Sequence, residues 1–376
     1  NANGAGTFAA DLARLRWNYA ADGVPDNAVS EAVTVKVCAV EMVYVPQGSF
    51  YIGDGSVAVI RGQFESATNG TPFPITNEYD AITLGGGGVG SLGNNNSTGM
   101  SAGSLDDFND VATQTLPGTF PKGFAAFYTM KYEISQGQYA DFLNTLSPAQ
   151  ASSRYPGKNT DRHAVTNVSG VYTSSLPYVA CNWISWADLA AYLDWAALRP
   201  MTELEFEKLC RGTNVPVANA YAWDDTSVIQ ANGILNGGTT DETSSNAANC
   251  VYGNHVCVQG PMRTGCLGIG TGSRSSVGAG YYGALELSGN LWEMPVTIGN
   301  PTGRNYTGVH GDGALNASGN ADVALWPGTG AVGAGWRAGG YRTSAIYQRL
   351  SDRYAATEVF ASRNLDNGGR GCRTAP

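Results

Sequence analysis

Three stretches of helical periodicity lie close together in a chain that elsewhere reads as short strands and turns. Ser135 is placed to cap a helix carrying Tyr139, Phe142 and Leu143 on one face, after a strand over Phe127 to Tyr132. Ser185 with Asp188 three residues on has the spacing of a capping box, and Leu189, Tyr192, Leu193 and Ala196 form the stripe behind it. Thr202 with Glu205 repeats the device, and Gly212 offers a stop. So few helices, in a chain with 50 Gly and 14% charged residues, argue against a helical protein. Short strands joined by long, ordered loops are expected instead.

The strand signals cluster before the helices. Leu15, Trp17 and Tyr19 alternate with Arg14, Arg16 and Asn18, and Val33, Val35 and Val37 alternate with Thr34 and Lys36. Turn chemistry over Asp22 to Asn27 lies between them, so residues 1–37 are expected to form a β-hairpin extension. Met42 to Val45 reads as a further strand, ending at Pro46-Gln47-Gly48, and Phe50 to Ile52 as another. Residues 54–120, with Gly85 to Gly88 and Asn94 to Asn96 at their centre, show no periodicity and read as an inserted surface loop. The length could hold two average domains, but one loop-rich domain over 38–376 accounts for the pattern.

Charge and cysteine usage bound the function. A net charge of −9 argues against nucleic acid, whose phosphates need a basic face. No apolar run approaches the roughly 18 residues of a membrane span. The chain starts at Asn1 with neither an initiator Met nor an apolar leader, as expected of a processed or partial product. Of the seven cysteines, Cys250 and Cys257 bracket a short loop and are candidates for a disulfide, which would fit a secreted or cell-surface protein. Zinc is disfavoured by the lack of a CxxC pair and by having only His163, His255 and His310. Seven of the seventeen Arg fall between Arg337 and Arg373, which suits a network of fixed contacts beneath loops.

The run Glu286-Leu-Ser-Gly-Asn-Leu-Trp-Glu293 carries the most chemistry. Gly289 lets the backbone turn, Trp292 can anchor the loop, and Asn290 and Glu293 offer hard oxygens suited to calcium. The same residues also fit an Asn-Gly turn capped by a core Trp. The order of motifs adds to this. Met42-Val-Tyr-Val-Pro-Gln-Gly-Ser-Phe50, Tyr132-Glu-Ile-Ser-Gln-Gly-Gln-Tyr139, Cys181-Asn-Trp-Ile-Ser-Trp-Ala-Asp188, Arg199-Pro-Met-Thr-Glu-Leu-Glu-Phe-Glu-Lys208, Leu287 to Glu293 and Gly369-Arg-Gly-Cys-Arg373 resemble the formylglycine-generating-enzyme (sulfatase-modifying factor) family over roughly residues 38–376.

That resemblance implies an α+β, C-type-lectin-like fold with small twisted antiparallel sheets, two or three helices and extensive ordered loop. It also implies that the Gly-Asn-x-Trp-Glu loop contributes to calcium binding, through Asn290 and Glu293. Family members that make formylglycine use two nearby Cys to bind copper. Here the corresponding segment, Ala338 to Arg349, contains none. The chain also lacks the clustered His of the iron-dependent branch, so neither copper nor iron is expected. A non-catalytic extracellular protein using a lectin-like scaffold for binding or self-assembly is the expected function. Its partners would be like subunits or a surface glycan or protein, met through Tyr341, Tyr347, Tyr354 and Asn364. The competing expectation is an oxidase with a rearranged site built from Cys266 and Cys372.

Overall fold

The structure, a computed structural model, describes residues 38–376 apart from 56–59, 69, 96–99, 102, 104 and 269–271. The expected hairpin over residues 1–37 therefore lies outside the described residues. Fourteen short strands are present among them: β1 (Met42–Val45), β2 (Phe50–Ile52), β3 (Phe64–Ser66), β4 (Phe73–Ile75), β5 (Ile82–Leu84), β6 (Leu92–Asn94), β7 (Gln114–Leu116), β8 (Phe127–Met130), β9 (Val165–Val168), β10 (Val171–Ser174), β11 (Arg199–Pro200), β12 (Ile234–Leu235), β13 (Thr243–Ser244) and β14 (Gly371–Thr374). The main helices are α1 (Gln136–Thr145), α2 (Pro148–Arg154), α3 (Trp186–Trp195) and α4 (Glu203–Arg211), with single turns α5 (Arg274–Val277) and α6 (Pro301–Arg304).

The first, third and fourth of these helices match the expected three. Each cap forms a reciprocal box, Ser135 with Gln138, Ser185 with Asp188 and Thr202 with Glu205, satisfying two backbone donors that would otherwise be left open. Gly212 ends α4 at φ +65°, where a Cβ would be strained. Helix α2 was not anticipated, although Ser147 and Gln150 form a fourth box with Pro148 in the first turn.

The central sheet has the order β1-β8-β14-β11 and is antiparallel throughout. Its register sets Met42 opposite Met130, Tyr44 opposite Tyr128 and Cys372 opposite Thr129. Because side chains alternate, Val45, Phe127 and Cys372 point to one core with Phe206 and Leu209 of α4. Met42 and Met130 point to another with Tyr139, Leu189 and Tyr192 of α1 and α3. The sheet is thus covered on both faces. A third apolar cluster joins Val251, Met262, Leu291 and Tyr341.

Residues 54–120 depart from the expected surface loop. They build a second four-stranded sheet, β3-β6-β5-β7, while β4 pairs with β2. Phe64, Leu84, Leu92, Phe108 and Leu116 from this segment are buried in the same core as α1 and α3. Strands of three residues show too little alternation to be read, and the many glycines hid them. Gly93 is one of these, and a Cβ there would lie 2.0 Å from the Ala67 carbonyl. The whole arrangement is α+β, with small sheets and few helices, as expected. No helix among the described residues is long and apolar enough to cross a membrane.

Candidate functional site

The Glu286 to Glu293 loop runs between the central sheet and the C-terminal segment. Glu286, Gly289 and Asn290 all have positive φ, at +57°, +90° and +65°. Gly289 is required for a second reason, since a Cβ would lie 2.6 Å from the Val251 carbonyl and 2.7 Å from Cys250 Sγ. The loop is tied down by Gly289 N–H to Ala338 O, Asn290 N–H to Val251 O, Trp292 N–H to Asp366 O and a reciprocal pair between Glu293 and Arg337.

Its side chains converge on a buried acidic cluster. Glu133 accepts from Asn290 Nδ2 at 2.5 Å and from the Leu291 N–H at 2.9 Å. Glu286 Oε1 accepts from the Gly265 N–H at 2.8 Å. Glu293 Oε1 meets Arg370 Nε at 2.5 Å, and the other Arg370 donors go to the carbonyls of Met130, Lys131 and Leu285. Three buried carboxylates are therefore gathered with a guanidinium hydrogen-bonded to Glu293 alone, a concentration of negative charge that is costly in the interior. Burial raises all three acids, Glu286 to about 7 and Glu133 well above the carboxylate range, with the neighbouring glutamates adding to the effect on Glu133.

A cation would relieve the same imbalance, and the donor set can be tested for it. Glu286 Oε2 is buried without a hydrogen-bond partner among the described residues. Such an oxygen beside Glu293 fits a hard, oxygen-seeking ion. Asn290 does not fit as a ligand in the expected way, because its Oδ1 accepts from the Met262 N–H at 2.8 Å and its amide donates to Glu133. Glu286 Oε2 is thus the oxygen of the cluster left open to a hard cation, and Asn290 acts as a brace. Glu286 stood at the head of the motif without being singled out, and nothing in its spacing separates a ligand from a turn residue.

The four expected contact residues are divided. Tyr341 is buried, with its hydroxyl 3.0 Å from Asp161 Oδ1, so it packs the core and presents no contact surface. Asn364 is half-buried and its Oδ1 accepts from its own chain at the Leu365 N–H. Tyr347 and Tyr354 do come together, edge to face at 4.9 Å, and Arg61 stacks over both at 3.9 and 4.6 Å. Trp292, Trp336 and Phe360 continue the row. Arg61 comes from the segment read as an insertion, which is why the sequence did not join it to this row.

The segment Ala338 to Arg349 folds around Gln348, which is fully buried and donates to Gly340 O and Thr343 Oγ1. Arg337 and Arg353 flank it, pairing with Glu203, Glu207 and Asp106 inside the protein. The Arg-rich C-terminal region is thus a structural network, as expected. The cysteines lie elsewhere. Cys250 and Cys257 are free and not joined, correcting the expected disulfide. Cys250 is buried with its thiol against Ser288 O at 3.1 Å, whereas Cys257 is exposed. Cys266 and Cys372 sit in different apolar clusters, and burial raises both thiols.

Comparison with known proteins gives one family match. A model described as sulfatase-modifying factor enzyme 1-like domain matches residues 93–324. Among solved structures, PvdO from Pseudomonas aeruginosa is similar with a TM-score of 0.41 and 14% identity, covering 90% of this chain and 95% of that one. CarF is similar with a TM-score of 0.34 and 13% identity, covering 90% and 99%. The Treponema denticola variable protein 1 is similar with a TM-score of 0.39 and 12% identity, covering 91% and 98%. No curated protein matches the chain.

Proposed function

The chain belongs to the sulfatase-modifying factor enzyme 1-like family, and from that premise we propose that it is a non-catalytic member. In this reading it is an extracellular protein that uses the lectin-like scaffold for self-assembly or for binding a surface ligand. The observation that carries the proposal is the closed state of the segment after Arg337. Copper chemistry on a substrate thiol needs accessible thiolates close together. Here the segment offers Thr343, Ser344 and a buried Gln348. The five buried cysteines have burial-raised thiols, the opposite of what a metal-binding thiolate requires.

The acidic cluster then serves as a clamp. Calcium held by Glu286 and Glu293 would neutralise buried charge and fix the loop that carries Trp292. The exposed parts of Tyr347, Tyr354, Trp336 and Phe360 supply aromatic surface for a partner. The test is copper titration together with oxygen consumption on a cysteine-containing peptide. No stoichiometric copper binding and no thiol oxidation is the expected result. Copper-dependent oxidation lost on replacing Cys266 or Cys372 would overturn the reading in favour of an oxidase.

A further inference from the structure

We propose that Tyr347, Tyr354 and Asp352 form a binding site for a guanidinium group, and that Arg61 is its resident ligand, supplied by the chain itself. The two rings stand edge to face, with 4.9 Å between centroids and 86° between planes. The Arg61 guanidinium carbon lies 3.9 Å from the centre of the Tyr347 ring and 4.6 Å from that of Tyr354. Aromatic rings turn a negative face to a cation, and a guanidinium so placed meets both of them. Arg61 Nε donates to Asp352 Oδ2 at 2.8 Å, and Nη2 lies 2.8 Å from the same oxygen. The inference holds whether or not the chain is an enzyme, because it rests on the packing of these four side chains.

The walls are held independently of the ligand. Tyr347 meets Trp292 edge to face, and its N–H donates to Ser344 O at 3.1 Å. Asp352 Oδ1 accepts from the Tyr354 N–H at 3.1 Å, and the Asp352 N–H donates to Arg349 O at 3.1 Å. Arg61 comes from 291 residues away in sequence, and its backbone is pinned separately. Arg61 O accepts from the Arg353 N–H at 2.8 Å, and the neighbouring Gly62 O accepts from Arg353 Nη1 at 2.9 Å. Removing the Arg61 side chain therefore leaves the walls and the backbone in place, while stranding a carboxylate that is only 2% exposed. Burial raises the Asp352 carboxyl, and Arg61 does most to counter it. Arg337 also acts on Asp352 but is committed to Glu203 and Glu207. A buried charge deprived of its partner is costly, and that cost draws another cation into the site.

The geometry selects guanidinium over ammonium. A planar group can lie against two rings and turn two nitrogens toward one oxygen, whereas a lysine ammonium is a compact, strongly hydrated point charge. The experiment uses the full chain with its Arg61→Ala and Arg61→Lys variants, followed by thermal denaturation and titration calorimetry. The probe is N-ethylguanidinium chloride, which supplies the atoms that Arg61→Ala removes, and n-propylammonium chloride is the control. The Arg61→Ala chain should bind the probe at least ~10-fold more tightly than the control and regain Tm as the site fills. The parent, whose site is filled, should show no saturable binding. Asp352→Asn added to Arg61→Ala should abolish the binding, and Arg61→Lys should not restore the parent's Tm.

Equal affinity for the two cations would reduce the site to charge neutralisation at Asp352, and a parent that binds the probe as tightly as the variant would place the binding elsewhere. Either result overturns the proposal, as does an Arg61→Lys chain as stable as the parent. If Arg61→Ala does not fold unaided, refolding in each salt decides the matter. Recovery with N-ethylguanidinium alone supports the site, and recovery with both salts or with neither overturns it. Failure of the non-catalytic reading shows separately, as copper-dependent thiol oxidation, whatever the outcome at Arg61.

Discussion

Replacing Glu203 by Gln tests whether the buried arginines hold the fold together. Glu203 opens α4, and its carboxylate receives Thr297 Oγ1 at 2.9 Å, the Ile298 N–H at 2.8 Å, Arg337 Nη1 at 3.1 Å and Arg353 Nε at 2.9 Å. Every partner belongs to a segment far from Glu203 in sequence, so the side chain joins α4 to three loops. Glu203→Gln keeps the shape but turns an NH2 toward guanidinium donors. Arg337 retains Glu207 at 2.7 Å and Arg353 retains Asp106 at 2.6 and 2.9 Å, so neither cation is fully orphaned. Removing one partner of a buried pair costs about 3–5 kcal/mol, and the retained contacts set the loss toward the lower end of that range. With an unfolding entropy of roughly 0.8 kcal/mol/K for a chain of this size, the full range corresponds to a fall in Tm of about 4–6 °C. The pH dependence gives a second readout. Burial alone would raise the Glu203 pKa, but Arg353 and Arg337 bring it below the ordinary carboxylate value. Its contribution is therefore present above the unfolded carboxylate pKa and is lost as pH falls through the lower folded value. Calorimetry across pH 7 to 3 should show that acid-dependent part missing in the variant. A Glu203→Gln protein within 1 kcal/mol of the parent at pH 7 would refute the claim that this network stabilises the fold.

Gly289→Ala should destabilise by at least ~2 kcal/mol, since positive φ and contact with the Val251 carbonyl and Cys250 Sγ act together; an unchanged denaturation midpoint would mean the loop can move aside. Calcium should raise the Tm of the parent, by an amount equivalent to about 2.7 kcal/mol at a hundredfold excess over Kd, and Glu286→Gln should abolish most of that gain while Asn290→Asp does not. A calcium response unaffected by Glu286→Gln would place the ion elsewhere. Thiol titration of native protein should find Cys38 and Cys257 reactive and the other five only after unfolding, seven in all; a total of five would restore the Cys250 to Cys257 disulfide.

What the sequence discloses depends on how local the signal is. Capping boxes are written within four residues, so α1, α3 and α4 could be placed from Ser135, Ser185 and Thr202. The second sheet is made of three-residue strands whose partners lie far apart, Glu65 against Gly93 and Thr83 against Thr115. No window of sequence contains both halves of such a pair. The acidic cluster fails for the same reason: Glu133, Glu286 and Glu293 meet across 160 residues, and only the last was named. Tyr341 shows the converse error, because an aromatic near the C-terminal end is read as contact surface until its hydroxyl is seen bonded to Asp161.

The clamp and the cysteine-free segment bear on each other through Arg337. Its backbone exchanges both hydrogen bonds with Glu293 of the loop, while its guanidinium crosses the core to Glu203 and Glu207. A change in the Glu286 to Glu293 loop is thereby passed to the start of the Ala338 to Arg349 segment and to α4. A reactive site on that segment would need its backbone held, and so does an aromatic contact surface: Tyr347 meets Trp292, the residue beside Glu293, edge to face. The same framework therefore serves either use, and only the side chains pointing outward decide between them. On the proposed reading, the loop and the buried arginines are needed whichever side chains the segment presents. Changing an outward side chain of the segment alters only the surface of the site, whereas losing Arg337, Glu203 or Gly289 would remove the support beneath it.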